Sequence, residues 1–384
     1  MAKSEAEKTA ARKVRFWHTW LKPVRGLLKL RFHYTCPIED VPSGAFLLYA
    51  NHVTDLDPVF VGASFREPLT FVAGENVQRM GALSKIINRY ASTIDRVKGA
   101  TDSACALQIL RTLRKGQPVC MFPSGNRSYT GQSTPIFPAS AKLAKSAKVP
   151  LITYKLTGGY MTSPRWADTM RKGKMSGGIV HIYTPEELVS LSNDELLKCI
   201  TADLWEDAYA AAPIPYKGKR LAERLETMLY VCPQCGGVDT LKSRDDSFSC
   251  RCGLTMTMRE DGRFTGVKLP FAHPGEWDAW QQETVRRLAE KADDRPIFSD
   301  EGQQLYQLGP DHELLPITAG TLSLSGTALT LGRCSFLLKS IDGVALTQQE
   351  KLSFTADGIH YVILSDHHRC GKKYCDLFRY LTER

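Results

Sequence analysis

The 384-residue chain has no uninterrupted apolar run near the ~18 residues a helix needs to cross a bilayer. Its first thirteen residues, MAKSEAEKTAARK, are polar. Neither a signal peptide nor a transmembrane helix is therefore expected, and a cytoplasmic protein is. A disulfide framework is missing too: eleven cysteines, an odd number, fit a reducing compartment where thiols stay unpaired or hold metal. Acidic excess is absent, since the net charge is +9. Residues 1–35 carry nine Lys/Arg against two Glu, so seven of those nine charges sit in one short arm. Such an arm suits an anionic partner, either lipid headgroups or nucleic acid. With 43% hydrophobic and 24% charged residues, the remainder has the composition of an ordinary globular protein of two or three domains.

Between Val14 and Phe32 the apolar residues Trp17, Trp20, Leu21, Val24 and Leu28 share one helical face, and Arg15, His18, Lys22, Arg25 and Lys29 share the other. Pro23 is expected to kink this helix or divide it, because an interior proline removes a backbone hydrogen bond. Tryptophans opposite a basic face suit a membrane interface, and a helix packed on its own core is the other reading. From Phe46 to Ala212, strand-like runs (AFLLYA, LTFVAG, STIDR, PVCMF, PLITYKL, GGIVHIY) alternate with helix-like ones, including one around QRMGALSKIINRY. The alternation predicts an α/β fold. Thr184-Pro185-Glu186-Glu187 and Ser192-Asn193-Asp194-Glu195 each have capping-box spacing and mark two helix starts.

The stretch NHVTDLDP, residues 51–58, puts a histidine and two acids in the turn between two apolar runs. His52 and Asp57 are five residues apart, about 140° around a helix, so no single helical face can hold both. A turn entering a helix at Pro58 can fold the carboxylate back onto the ring, hold Nδ1–H and leave Nε2 as a base. A second turn, FPSGNRS at residues 122–128, again follows a predicted strand. There Gly125 lets backbone N–H groups approach a ligand, and Arg127 offers a planar cation suited to phosphate.

With these blocks in view, the chain resembles the glycerolipid acyltransferases, the 1-acyl-sn-glycerol-3-phosphate acyltransferase family. NHVTDLDP matches the family's Asn-His-x4-Asp-Pro block, and STIDR, ending in Arg96, is similar to its second. FPSGNRS resembles Phe-Pro-Glu-Gly-Thr-Arg-Ser, and VPLITYKLTGG resembles the fourth block. Ser124 stands where the family has glutamate and Asn126 where it has threonine, and the fourth block lacks a second proline. The resemblance implies a central mixed sheet flanked by helices. It implies that His52, oriented by Asp57, deprotonates the hydroxyl of a lysophospholipid acceptor, which attacks the thioester of acyl-CoA or acyl carrier protein. Backbone N–H groups near the turn would stabilise the oxyanion. Arg96, Ser124, Gly125, Asn126 and Arg127 would bind the acceptor, the two arginines through its phosphate. The product expected from 1-acylglycerol 3-phosphate is phosphatidic acid.

Cys232-Pro-Gln-Cys235-Gly and Cys250-Arg-Cys252-Gly, with fourteen residues between Cys235 and Cys250, have the spacing of a zinc ribbon. Four thiolates close a tetrahedral site, so a Zn²⁺ there would be structural. His367, His368, Cys370 and Cys375 are expected to be ordinary surface and core residues. After an amphipathic helix around EWDAWQQETVRRLAEKA, the chain reads as short strands and a final helix, KKYCDLFRYL, loosely resembling a pleckstrin-homology or GRAM-like barrel. The expected division is a membrane-binding arm (1–35), an acyltransferase domain (36–225), a zinc ribbon (226–268), a helical linker (269–300) and a β-rich domain (301–384). An enzyme peripheral on the inner face of the cell membrane is expected, with an anionic membrane surface as partner. The alternative is a non-catalytic lipid- or nucleic-acid-binding protein using the arm and the ribbon. GGVDTLKSRDDSFS, with one Phe and three acids, argues against a nucleic-acid partner.

Overall fold

A computed structural model describes the chain except residues 1–4, 35–37, 75–91, 97–102, 267–268, 310–312, 348–350 and 384. The helix expected around QRMGALSKIINRY lies outside the described residues. The chain divides into two compact units, residues 1–164 with 170–217, and residues 165–169 with 218–384.

The first unit begins with helix α1 (Glu5–Phe32). It then alternates β1 (Leu47–Ala50), α2 (Asp57–Ala63), β2 (Thr70–Gly74), β3 (Ser92–Arg96), α3 (Ser103–Arg114), β4 (Val119–Met121), α4 (Ala139–Ala147), β5 (Leu151–Thr157) and β6 (Ser176–Tyr183). Helices α5 (Pro185–Ser190) and α6 (Asn193–Leu204) follow, and both open with complete capping boxes, on Thr184 with Glu187 and on Ser192 with Glu195. The strands form one mixed sheet in the order β3-β2-β4-β1-β5-β6, parallel throughout except for the last pair.

Strand β1 is central and buried on both sides, which is why LLYA reads as an unbroken apolar run rather than an alternating one. Leu48 and Ala50 point into a core shared with Phe32, Phe60 and Phe65. Leu47 and Tyr49 point into the opposite core with Leu113, Leu196 and Ile200. Helices thus cover both faces, and the carboxyl ends of β1 and β4 are left to carry turns.

Of the two outcomes expected at Pro23, a kink or a division, the division does not occur, because α1 runs as one helix from Glu5 to Phe32. The expectation of a lipid-facing apolar side is corrected. The apolar face of α1 turns inward: Leu28 is 3% exposed, Leu21 and Val24 pack on the same core, and the Trp17 indole N–H donates to the Phe65 carbonyl at 3.4 Å. Gly62 makes room for that tryptophan, since a Cβ there would fall 2.8 Å from the indole ring. The outward residues include Lys22, Lys29, Leu30 and Leu27, the last 62% exposed. The side chain of Trp20 lies outside the described residues.

The second unit contains a small antiparallel sheet of β7 (Leu241–Arg244), β8 (Ser247–Cys250), β9 (Thr255–Met258) and β10 (Phe264–Thr265), then α7 (Pro274–Glu290). A seven-stranded antiparallel sheet follows, comprising β11 (Phe298–Leu308), β12 (Leu314–Leu324), β13 (Ala328–Leu331), β14 (Cys334–Leu337), β15 (Ile341–Thr347), β16 (Lys351–Ala356) and β17 (Ile359–Ser365). Its order is β14-β13-β12-β11-β17-β16-β15, and α8 (Lys372–Thr382) ends the chain. Cys370 is buried with its thiol against the Thr227 carbonyl, while His367 is exposed.

The inward face of α1 sets a stability test. Leu28→Ala should cost about 2–4 kcal/mol, as for a buried leucine, while Leu27→Ala should cost under about 0.5 kcal/mol in denaturant unfolding.

Candidate active site

The turn after β1 is fixed before any chemistry is considered. Asn51 grips β5 with both ends of its amide: Nδ2 donates to the Leu156 carbonyl at 2.8 Å and Oδ1 accepts the Leu156 N–H at 2.7 Å. Asp57, the first residue of α2, is 0% exposed and folds back over the turn. Its carboxylate accepts four hydrogen bonds, from His52 Nδ1 (2.7 Å), Val53 N (2.6 Å), Thr54 N (2.9 Å) and Thr54 Oγ1 (2.7 Å). A carboxylate only accepts, so Nδ1 carries the proton and Nε2 is left with a lone pair. Phe122 stacks on the imidazole with centroids 4.6 Å apart and planes inclined by 22°. The ring is thus held at its nitrogen and across its face.

His52 lines a cavity of about 190 Å³, whose wall also includes Ser124, Ile136, Thr201, Leu204 and Trp205. Polar side chains of Asn51, His52, Ser124, Ser133, Thr134 and Thr201 share this wall with apolar ones, and most of its exposed area is apolar. A concave site of mixed apolar and fixed polar groups is the form of a small-molecule site.

The backbone N–H groups of Val53 and Thr54 are spent on Asp57, so the expectation that amides of this turn stabilise an oxyanion does not hold for these two. In the second turn Gly125 has φ +66°, a conformation that favours glycine. Ser124 Oγ and Thr134 Oγ1 both donate to the Asn126 carbonyl, at 3.1 and 2.9 Å. Ser124 therefore stabilises the turn as well as facing the cavity. Arg127 braces the first turn: it donates to the Val53 carbonyl (3.4 Å), to Asp55 Oδ2 (2.7 Å) and to the Ser163 carbonyl (2.7 Å). Asp55 is 82% exposed, which makes its ion pair a weak one. Arg96 ends β3, and its side chain lies outside the described residues. Asn51, Phe122 and Thr54 were not singled out from the sequence as site residues. Asn51 sits in the quoted motif, but its partner is 105 residues away.

In the second unit Cys232, Cys235, Cys250 and Cys252 bring their four Sγ atoms within 4.8 Å of one another. Cys232–Cys252 and Cys235–Cys250 are each 3.8 Å apart. Zn–S bonds of about 2.3 Å place tetrahedral sulfurs about 3.8 Å apart, so this donor set fits a zinc ion. Gly236 and Gly253, at φ +69° and +97°, turn the two knuckles.

Residues 33–157 match the family model described as Acyltransferase. The match spans about a third of the chain. The chain is 31% identical over 136 residues to a probable 1-acyl-sn-glycerol-3-phosphate acyltransferase from Mycoplasma pneumoniae, a match covering 33% of this chain and 50% of that protein. The chain thus spans about half the length of this curated relative. Among solved structures it is similar to the crystal structure of the 1-acyl-sn-glycerophosphate (LPA) acyltransferase, PlsC, from Thermotoga maritima. That match has a TM-score of 0.40 and 16% identity, covering 53% of this chain and 82% of that one. The resemblance drawn from the four motifs is borne out over residues 33–157, which contain the first three and most of the fourth.

Proposed function

We propose that the chain is an O-acyltransferase that moves an acyl group from acyl-CoA or acyl carrier protein to the hydroxyl of a lysophospholipid, with 1-acylglycerol 3-phosphate as acceptor and phosphatidic acid as product. The observation that carries this reading is the His52–Asp57 contact of 2.7 Å, with His52 lining a cavity. Nε2 takes the proton of the acceptor hydroxyl as its oxygen bonds to the thioester carbonyl carbon. The tetrahedral intermediate then expels the thiolate, which recovers the proton from the imidazolium, and no acyl-enzyme forms. Asp57 stabilises the imidazolium while it lasts. The cavity wall of Ile136, Leu204 and Trp205 suits the acyl chain. Arg96 and Arg127 bind the acceptor phosphate beside Ser124, Gly125 and Asn126. For Arg127 this means exchanging the exposed Asp55 carboxylate for phosphate, a cheap exchange for a surface pair.

Zinc at Cys232, Cys235, Cys250 and Cys252 is structural, because four thiolates leave no position for water or substrate. The sheet order and closing helix of residues 301–384 support reading that region as a PH/GRAM-like module. Among the described residues no helix is long and apolar enough to cross a membrane. We read α1 as meeting an anionic membrane surface, the inner face of the cell membrane, through its outward Leu27, Leu30, Lys22 and Lys29, each charge near the surface contributing ~1 kcal/mol.

Three outcomes are expected. His52→Ala should fold normally and lose acyl transfer by about 10²–10⁴-fold, and Asp57→Asn should lose most activity because its amide also opposes the Val53 and Thr54 N–H groups. Near-wild-type turnover in His52→Ala would sink the mechanism. Elemental analysis of protein prepared without chelators should give about one zinc per chain, and Cys235→Ser should lower stability more than turnover per folded molecule. A metal-free preparation of equal stability would refute the metal. Leu27→Ser with Leu30→Ser should release the protein from anionic liposomes in sedimentation; unchanged binding would move the anchor away from α1.

A further inference from the structure

Glu206 follows Trp205, a residue of the cavity wall, and is 7% exposed. The mechanism above does not use it. Its Oε1 accepts the Gly158 N–H at 2.8 Å. Its backbone exchanges two bonds with Ser133, also on the cavity wall: Ser133 N donates to the Glu206 carbonyl and Glu206 N donates to Ser133 Oγ, both at 2.9 Å. Gly158 has φ +79° and lies so close to the Tyr216 hydroxyl that a Cβ would fall 2.7 Å from it. Gly159, the next residue, is pressed so tightly on the Val53 side chain that a Cβ cannot fit, and one there would fall 3.2 Å from Thr54 Cγ2. Val53 and Thr54 are the two residues whose amides hold Asp57. The glycine pair after β5 therefore touches Glu206 on one side and the His52 turn on the other. Asn51 grips the same strand end two residues earlier, at Leu156.

The charged groups bearing on Glu206 are Asp57 from α2, Lys155 from β5 and its neighbour Asp207, with the Tyr216 phenol beside them. Burial has the largest effect and pushes the Glu206 carboxyl up to about 8; the Gly158 amide and Lys155 act against the rise, and Asp57 and Asp207 add to it. The side chain is thus a neutral acid at neutral pH and gains a charge at mildly alkaline pH. Its folded value lies above its unfolded value. Its contribution to stability is therefore full in acid and lost as pH rises toward about 8, because the unfolded chain gives up the proton first.

We propose that Glu206 is a positioning residue of the His52 site, holding Gly158 and Gly159 against the turn that Asp57 organises. Its effect on turnover rests on the acyl-transfer reading, but its effect on the turn does not. The test uses the full chain labelled with [15N]glycine and [13Cε1]histidine, titrated by NMR as wild type and as Glu206→Gln, which keeps an acceptor for Gly158 and has no proton to lose. The Gly158 amide and His52 ring signals should both show an inflection near pH 8 in the wild type and lack it in Glu206→Gln. The pH–rate profile for acyl transfer should lose the same inflection, and Glu206→Leu should lower kcat by about tenfold with KM little changed, a loss that Gln partly restores. An identical inflection in Glu206→Gln, or none in the wild type, overturns the proposal. If the wild type acylates no acceptor, the acyl-transfer reading fails and the NMR titration still decides the role of Glu206.

Discussion

The Asp57 carboxylate has been taken out of water at the centre of the first unit, and an unpaired charge there would cost several kcal/mol. Four donors at 2.6–2.9 Å offset that cost, each charge-assisted bond contributing about 1.5–3 kcal/mol. Three of the four come from the two residues after His52 and set the course of the turn. The fourth is the imidazole itself. The carboxylate that folds the turn is therefore also the one that fixes the tautomer of His52. Asn51 ties the turn to β5, Phe122 covers the ring, and Arg127 spans from the turn to Ser163. The turn is thus anchored on the end of the sheet.

How much of this could be read in the sequence follows from the range of each interaction. The capping boxes at Thr184 and Ser192 involve neighbours three residues apart and stand as written. The alternation of strand and helix survives because periodicity is local. The arm misled for a physical reason: an amphipathic pattern shows that a helix has an apolar face, and nothing in it says whether protein or lipid covers that face. Gly62 and Phe65, which receive Trp17, lie more than forty residues away. Arg127 was legible as a cation beside the site, but its hold on Ser163 was not, and Glu206 gave no signal, since Ser163 and Gly158 become their neighbours only when β5 is in place.

The second unit depends on buried charge of another kind. Lys372 lies between Asp278 of α7 and Asp376 at 2.8 and 2.6 Å, and Lys373 pairs with Asp239, just beyond the first cysteine knuckle, and with Asp300 of β11. Burial alone would favour the neutral amine of Lys372, but the two carboxylates more than reverse this and hold it charged. Consecutive lysines on one helix therefore reach the cysteine segment, α7 and the seven-stranded sheet. Breaking one such pair leaves an uncompensated charge, so these contacts specify one arrangement of the three parts.

The central claim is that His52 serves as base towards a hydroxyl of a lysolipid, and product identification by mass spectrometry tests it most directly. Purified protein would be given mixed acyl-CoA and acyl carrier protein donors with a panel of lysolipids. The account predicts that 1-acylglycerol 3-phosphate gains one acyl group with the wild type and none with His52→Ala. No acylated lysolipid from any donor, or equal product from the His52→Ala protein, would contradict it.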